Sequence, residues 1–188
     1  MKIELVNLNV ENLRHAPEWP NHPYSCKYCT YWEFPEEWQS PGTRAPATEE
    51  HKEGMLGKKS EWLRNVSREF GNCGKVVYCD GEPAGYAQYA PPGYLPNAAS
   101  YDSGPPGDDA VLLACLFIPE TRFRGAGIGG RILDSIIDEL RQRGIRAIET
   151  FGRRGNIESP SGPAEFFLRG GFRIQRDDPE FPLLRLEL

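Results

Sequence analysis

Arg122-Phe123-Arg124-Gly125-Ala126-Gly127-Ile128-Gly129-Gly130 is the stretch whose reading decides the fold. It follows the apolar run Val111 to Ile118 and opens onto Ile128, Ile132, Ile136, Ile137 and Leu140, which recur at helical spacing, with Gly144 placed to stop the helix. The order is strand, glycine loop, helix. The first N–H groups of a helix have no internal partner and sit at the positive end of its dipole, so a loop at this place suits an anion, phosphate above all. Gly125, Gly127 and Gly129 let oxygen atoms reach the backbone, and Arg122, Arg124 and Arg131 add positive charge.

Two common phosphate loops do not match. A P-loop needs Lys followed by Ser or Thr, where this chain has Gly130-Arg131. A Rossmann loop fails because Ala126 breaks the glycine spacing and no βαβ series surrounds it. A ligand-free turn would leave three arginines and three spaced glycines without a reason. What remains is Arg124-x-x-Gly127-x-Gly129, which resembles the pyrophosphate-binding signature of the GNAT superfamily of acyl-CoA-dependent N-acetyltransferases.

Composition narrows the class further. A chain of 188 residues reads as a single domain, 1–188, large enough for a substantial core. The net charge of −5 and the lack of a Lys/Arg block argue against a nucleic-acid partner. No apolar stretch reaches membrane-spanning length, and Met1-Lys2-Ile3-Glu4-Leu5 lacks a signal-peptide core, so a cytoplasmic location with no membrane partner is expected. Five cysteines, an odd number without an export signal, read as reduced thiols. Prolines gather between Pro17 and Pro46 and between Pro91 and Pro106, which marks both stretches as loops.

Ile3 to Leu8 alternates as a first strand. Residues 14–57 read as an irregular, proline-rich insertion carrying the aromatic cluster Trp19, Tyr24, Tyr28, Tyr31, Trp32, Phe34 and Trp38, which would pack over the domain and wall a pocket. Ser60 can cap a helix through Trp62, Leu63, Val66 and Phe70. Lys75 to Cys79 and Ala84 to Tyr89 flank Asp80-Gly81 as a hairpin. After the glycine-loop helix come a strand at Ile145 to Phe151, a short helix from about Gly162 to Arg169, and a last strand at Leu183 to Leu188. Glu165-Phe166-Phe167-Leu168-Arg169-Gly170-Gly171-Phe172 resembles the second GNAT landmark, a short helix ending in Gly-Phe.

The resemblance runs from about Ser60 to the end and implies an α/β (α+β) GNAT fold: a mixed, mostly antiparallel sheet flanked by helices and splayed at an acetyl-CoA cleft. It implies pantetheine pairing at Leu116, Phe117 and Ile118, and pyrophosphate contacts at Arg124, Gly125, Gly127 and Gly129, with amides of Ala126, Ile128 and Gly130 beside them. Asn156 falls in a strand-to-helix connection longer than the family's usual one and is a further cofactor contact to test. The activity implied is transfer of an acetyl group from acetyl-CoA, as cosubstrate, to a small-molecule or peptidyl amine within a ternary complex. The resemblance also allows a homodimer.

Glu149, flanked by Ile148 and Phe151, is the expected general base, with Asp109 the weaker choice. Many family members place a tyrosine acid where this chain has Phe167, leaving Tyr86, Tyr89 or a water to protonate the leaving thiolate. Cys115 reads as a buried apolar thiol rather than an acyl-accepting nucleophile. For Cys26-x-x-Cys29 three readings stand: packing cysteines, a redox pair, or a zinc site completed by His15 and His22; the first is preferred and no metal is assigned. The competing function is a catalytically weak acyl-CoA-binding regulatory protein in which Cys26 and Cys29 sense metal or redox state. Glu33, Glu36, Glu37, Asp102, Asp108 and Asp109 would attract a cationic acceptor or form a solvated face.

Overall fold

The computed structural model describes residues 1–19, 25–38, 48–155 and 159–188. Among the described residues seven strands form one sheet in the order β1-β2-β3-β4-β5-β7-β6. They are β1 (Ile3–Asn7), β2 (Gly74–Cys79), β3 (Glu82–Ala90), β4 (Ala110–Phe117), β5 (Ala147–Phe151), β6 (Arg173–Arg176) and β7 (Leu183–Glu187). Only the central β4–β5 pair is parallel, so the fold is the mixed, mostly antiparallel sheet expected from the sequence. The helices are α1 (Val10–Leu13), α2 (Glu49–Glu69), α3 (Ile128–Gln142) and α4 (Ala164–Arg169).

Each face of the sheet is covered. On one side Leu56, Trp62, Leu63 and Val66 of α2 meet Val76, Tyr86, Leu112 and Phe151, together with Leu13, Trp32 and Cys26. On the other side Ile128, Ile132, Ile136 and Leu140 of α3 and Phe167 of α4 meet Val77, Leu113, Leu116, Ile148 and Leu184. The isoleucine spacing in α3 thus lies on the buried stripe that its period implies.

β4 carries a bulge. Gln88 pairs with Cys115 while Tyr89 pairs with Leu113, which leaves Ala114 as an extra residue in β4. Strict alternation breaks there: Ala114 and Cys115 both turn to the α2 face, and Leu116 returns to the α3 face. Just beyond this point β4 and β5 part company. Their pairing covers Ala110, Val111 and Leu112 against Ala147, Ile148 and Glu149, after which the Thr150 hydroxyl donates to the Leu113 carbonyl at 2.8 Å. The splay therefore opens between the outer halves of these two strands.

Several elements differ from the sequence reading. Helix α2 starts at Glu49 instead of near Ser60, because Thr48 accepts from the His51 amide at 3.2 Å and Glu49 and Glu50 suit the first turn. Gly54 and Gly57 do not break it, since both sit on its exposed face. Met55, Leu56, Lys59, Trp62, Leu63 and Val66 form its buried stripe. The insertion is consequently shorter than 14–57. Helix α1, a single turn held by a reciprocal Asn9–Asn12 capping box, and the exposed edge strand β6 were not anticipated.

Candidate active site

The glycine loop leaves β4 through a 3-10 turn at Thr121–Phe123. Arg124 then folds its guanidinium back, donating from Nε to the Ile118 carbonyl at 2.8 Å and from Nη2 to the Pro119 carbonyl at 2.9 Å. These bonds clamp the loop against the end of β4. Gly125 and Gly127 both adopt φ of +77°, a left-handed conformation that side-chain-bearing residues avoid, and Gly127 caps α3. Nothing lies within 4 Å of where a Cβ would stand on either glycine. Their backbone faces open space at the positive end of a 15-residue helix.

That space is a cavity of about 420 Å³. Leu116, Phe117, Ile118, Arg124, Gly125, Gly127, Ile128, Gly129 and Gly130 all border it; Ala126 is exposed in the loop outside its lining. A diphosphate suits such a cradle, because unhindered amides and a helix terminus supply donors without a desolvated cation. Gly129 is tight for a different reason: a Cβ there would sit 3.3 Å from the Phe166 ring of α4. Asn156 lies outside the described residues.

The arginines divide in a way the sequence did not show. Arg122 pairs with Glu82 at 2.7 Å and Glu120 at 2.5 Å, and Arg131 borders a separate groove beside Leu5 and Lys75. Arg169, at the end of α4, borders the cavity and forms no ion pair among the described residues. It is the cation that sequence reasoning missed, since a lone arginine in a short helix carries no local signal.

The segment before α4 fills the wedge between the splayed strands. The Leu116 amide donates to the Pro160 carbonyl at 2.9 Å, the Arg153 amide to the Gly162 carbonyl at 2.8 Å, and the Ala164 amide to the Arg153 carbonyl at 2.9 Å. One of the amides assigned to pantetheine therefore has an internal partner. Phe166, not Phe167, borders the cavity from α4. Phe167 is fully buried between Phe166 and Phe172, with ring centroids 5.1 and 5.4 Å away.

Comparisons with known proteins place the family and the fold. The family model described as Acetyltransferase (GNAT) family matches residues 27–161. The chain belongs to the GNAT acetyltransferases. Among solved structures, the PaiA N-acetyltransferase of Thermoplasma acidophilum, in complex with coenzyme A, is 15% identical over 100% of both chains with a TM-score of 0.60. An N-acetyltransferase of Staphylococcus aureus Mu50 is 14% identical over 100% of this chain and 98% of its own, with a TM-score of 0.57. The aminoglycoside acetyltransferase AAC(6')-Ib, also with coenzyme A, is 15% identical over 99% and 95%, with a TM-score of 0.55. No curated protein matches the sequence. The GNAT membership makes the chain an acyltransferase of an acetyl-CoA-using family, and no described helix is long and apolar enough to cross a membrane.

The chemical residues expected around the GNAT cleft are placed unevenly. Glu149 is buried, but its Oε1 accepts from Arg185 at 2.9 Å and its Oε2 from the Gly107 amide at 2.8 Å. It borders a separate groove with Pro105, Asp109 and Arg185 rather than the cavity at Leu116. Each oxygen thus accepts one hydrogen bond, so Glu149 is held in place, and the general-base role expected of it from the sequence stays a proposal. Asp109 is likewise held by Arg185 at 2.9 Å, and this contact keeps its carboxyl below its usual range. Tyr89 is tied to Asn72 and Glu139, at 2.6 and 3.0 Å, on the α3 face.

The cysteines are free thiols. Desolvation pushes Cys29 up to about 12 and Cys73 to about 11, and a bond to Cys26 together with burial holds Cys115 well above its ordinary value. Neutral thiols are poor nucleophiles. His15 meets the Tyr78 hydroxyl at 3.3 Å, and among the described residues no cluster of three His, Cys, Asp or Glu side chains could hold a metal; His22 lies outside them.

Proposed function

We propose that the chain transfers an acetyl group from acetyl-CoA directly to a primary amine, small or peptidyl, with both substrates bound together. The observation that carries this is the convergence on one cavity of two features far apart in role: the open, left-handed glycine loop at the start of α3 and the backbone of β4 at the splay. The first suits a diphosphate and the second an extended arm carrying a thioester. Acetyl-CoA supplies the activated acyl group when bound.

The chain's own contribution is positioning. Arg124 fixes the loop to the end of β4, so the diphosphate subsite and the splay are held at a constant separation. The bulge at Ala114 packs the Leu116 side chain on the α3 face and the Cys115 and Phe117 side chains on the α2 face, from which an acceptor would approach, and both Leu116 and Phe117 border the cavity. Phe117 is overlaid there by Trp19, with ring centroids 4.4 Å apart. Aromatic surface at that place suits an acceptor with an apolar or ring-bearing body.

Chromatographic detection of CoA released from acetyl-CoA in the presence of primary amines tests the proposal, because it is blind to the protein's own thiols. Amine-dependent CoA release with a matching acetylated product is the expected result. Acetyl-CoA binding without release for any amine would favour the catalytically weak binding protein instead.

A further inference from the structure

The wedge between β4 and β5 is filled from within the chain. The Leu116 amide donates to the Pro160 carbonyl at 2.9 Å, and a Cβ on Gly162 would stand 3.6 Å from the Leu116 carbonyl oxygen. A short strap, residues 159–162, thus lies along both polar groups of Leu116. The strap turns on itself through the Gly162 amide, which donates to the Ser159 carbonyl at 2.9 Å, and through the Ser159 and Ser161 hydroxyls, also 2.9 Å apart. Its far end is anchored separately, because Arg153 exchanges backbone bonds with Gly162 and Ala164 at 2.8 and 2.9 Å. Ser159 and Gly162 border the same cavity as the glycine loop.

This contact occupies a position that the cofactor arm would need. Leu116 is 7% exposed, and an N–H so enclosed requires an acceptor. One amide cannot hold two carbonyl oxygens along the same line at full strength. An arm carrying a thioester, laid along β4, brings a carbonyl oxygen of its own. Pro160 has no N–H, so at this point the strap offers β4 an acceptor and no donor. The exchange is carbonyl for carbonyl. Pro160 is half-buried, so its carbonyl reaches water once released, and no polar group is stranded by the change.

We infer that residues 159–161 are an internal placeholder for the acyl-CoA arm. The Pro160 carbonyl holds the Leu116 amide until the thioester carbonyl displaces it, and the strap swings away from β4 about its Arg153 anchor. This rests on the acyl-CoA reading of the cavity. The diphosphate subsite at the glycine loop fills without that displacement. Apparent affinity for acetyl-CoA is therefore scaled by the fraction of molecules whose strap is open, whereas affinity for a ligand with the diphosphate and no arm is not.

The test follows the contact itself by NMR, through the scalar coupling across the hydrogen bond between the Leu116 nitrogen and the Pro160 carbonyl carbon. In the unaltered protein the coupling should be present without ligand, persist with adenosine diphosphate, and vanish at saturating acetyl-CoA. Coupling that survives saturation, or that is missing without ligand, would overturn the inference and leave the cofactor site standing. Pro160→Gly and Ser161→Gly give a second reading: each keeps the backbone carbonyl but gives the released strap more freedom, which favours the open form. By calorimetry each folded variant should bind acetyl-CoA about threefold more tightly and adenosine diphosphate equally. Unchanged or weaker acetyl-CoA binding by either would make the strap a fixed wall and contradict the inference. If the unaltered protein binds adenosine diphosphate but not acetyl-CoA, the strap does not open, and the inference fails with the glycine loop intact. If it binds neither, the acyl-CoA reading fails and the inference falls with it.

Discussion

Arg185 Nη1 lies 2.9 Å from Oε1 of Glu149, and the same guanidinium reaches Asp109 and Glu187. The contact joins β5 to β7 across the register pair Glu149–Arg185, and the Gly107 amide secures the other Glu149 oxygen. It holds the loop before β4 against the sheet. The carboxylate expected from the sequence to be catalytic is also a structural tie.

Glu149→Gln is therefore expected to weaken the fold more than the chemistry. Breaking a buried pair costs about 3–5 kcal/mol, but Arg185 keeps two other carboxylates, so about 2 kcal/mol is the better figure. That corresponds to a melting temperature lower by about 4–8 °C for a chain of this size. Calorimetry alongside kcat measured below the transition would show it, and a 100-fold loss of kcat at unchanged stability would return Glu149 to the mechanism.

Arg169 and Arg122 make a contrasting pair. Arg169 borders the cavity, whereas Arg122 is committed to Glu82 and Glu120. Arg169→Ala should weaken acetyl-CoA binding about fivefold, the equivalent of roughly 1 kcal/mol for an exposed charge contact. Arg122→Ala should leave binding unchanged. Equal losses for both, read by titration, would mean that a diffuse positive field matters and not the placement of Arg169.

Acid should loosen the join between α3 and the β2–β3 hairpin. Burial opposes the charge of Glu139, but Lys75 at 2.6 Å and Asn72 at 2.7 Å outweigh it and hold its pKa below the usual 4.5. A carboxyl depressed in the folded state contributes stability that is present above its unfolded pKa and lost as pH falls through the folded one. The loss should therefore begin near pH 4.5 and deepen below it. Glu139→Gln should lower the melting temperature at pH 6 and shrink the gap between pH 6 and pH 3.5; an unchanged gap would assign the acid loss to other carboxylates.

The sequence made the sheet's centre and the glycine loop readable, because both follow from local rules. Val111 to Ile118 and the Ile128 to Leu140 stripe state a strand and a helix by period alone, and Gly125 and Gly127 stand where the chain turns left-handed. From sequence alone helix α2 looks shorter than it is, because Gly54, Gly57 and Lys59 disguise its apolar stripe, and the buried Lys59 makes sense only once Glu33 is beside it. Phe166 and Arg169 face the cavity through the pitch of α4 against α3. Neither that, nor the capture of Glu149 by Arg185 from a strand far along the chain, has any signature in local sequence.

The most direct test of the central claim is a calorimetric titration of acetyl-CoA into the unaltered protein and into Gly127→Glu. A glutamate there meets no atom within 4 Å of its Cβ, and the left-handed φ of +77° costs about 1–2 kcal/mol, so the fold survives. Its carboxylate would stand at the start of α3, where the diphosphate belongs. The account predicts measurable binding to the unaltered protein and none to the folded variant. Equal affinities would contradict it and place acetyl-CoA, if it binds at all, away from the glycine loop.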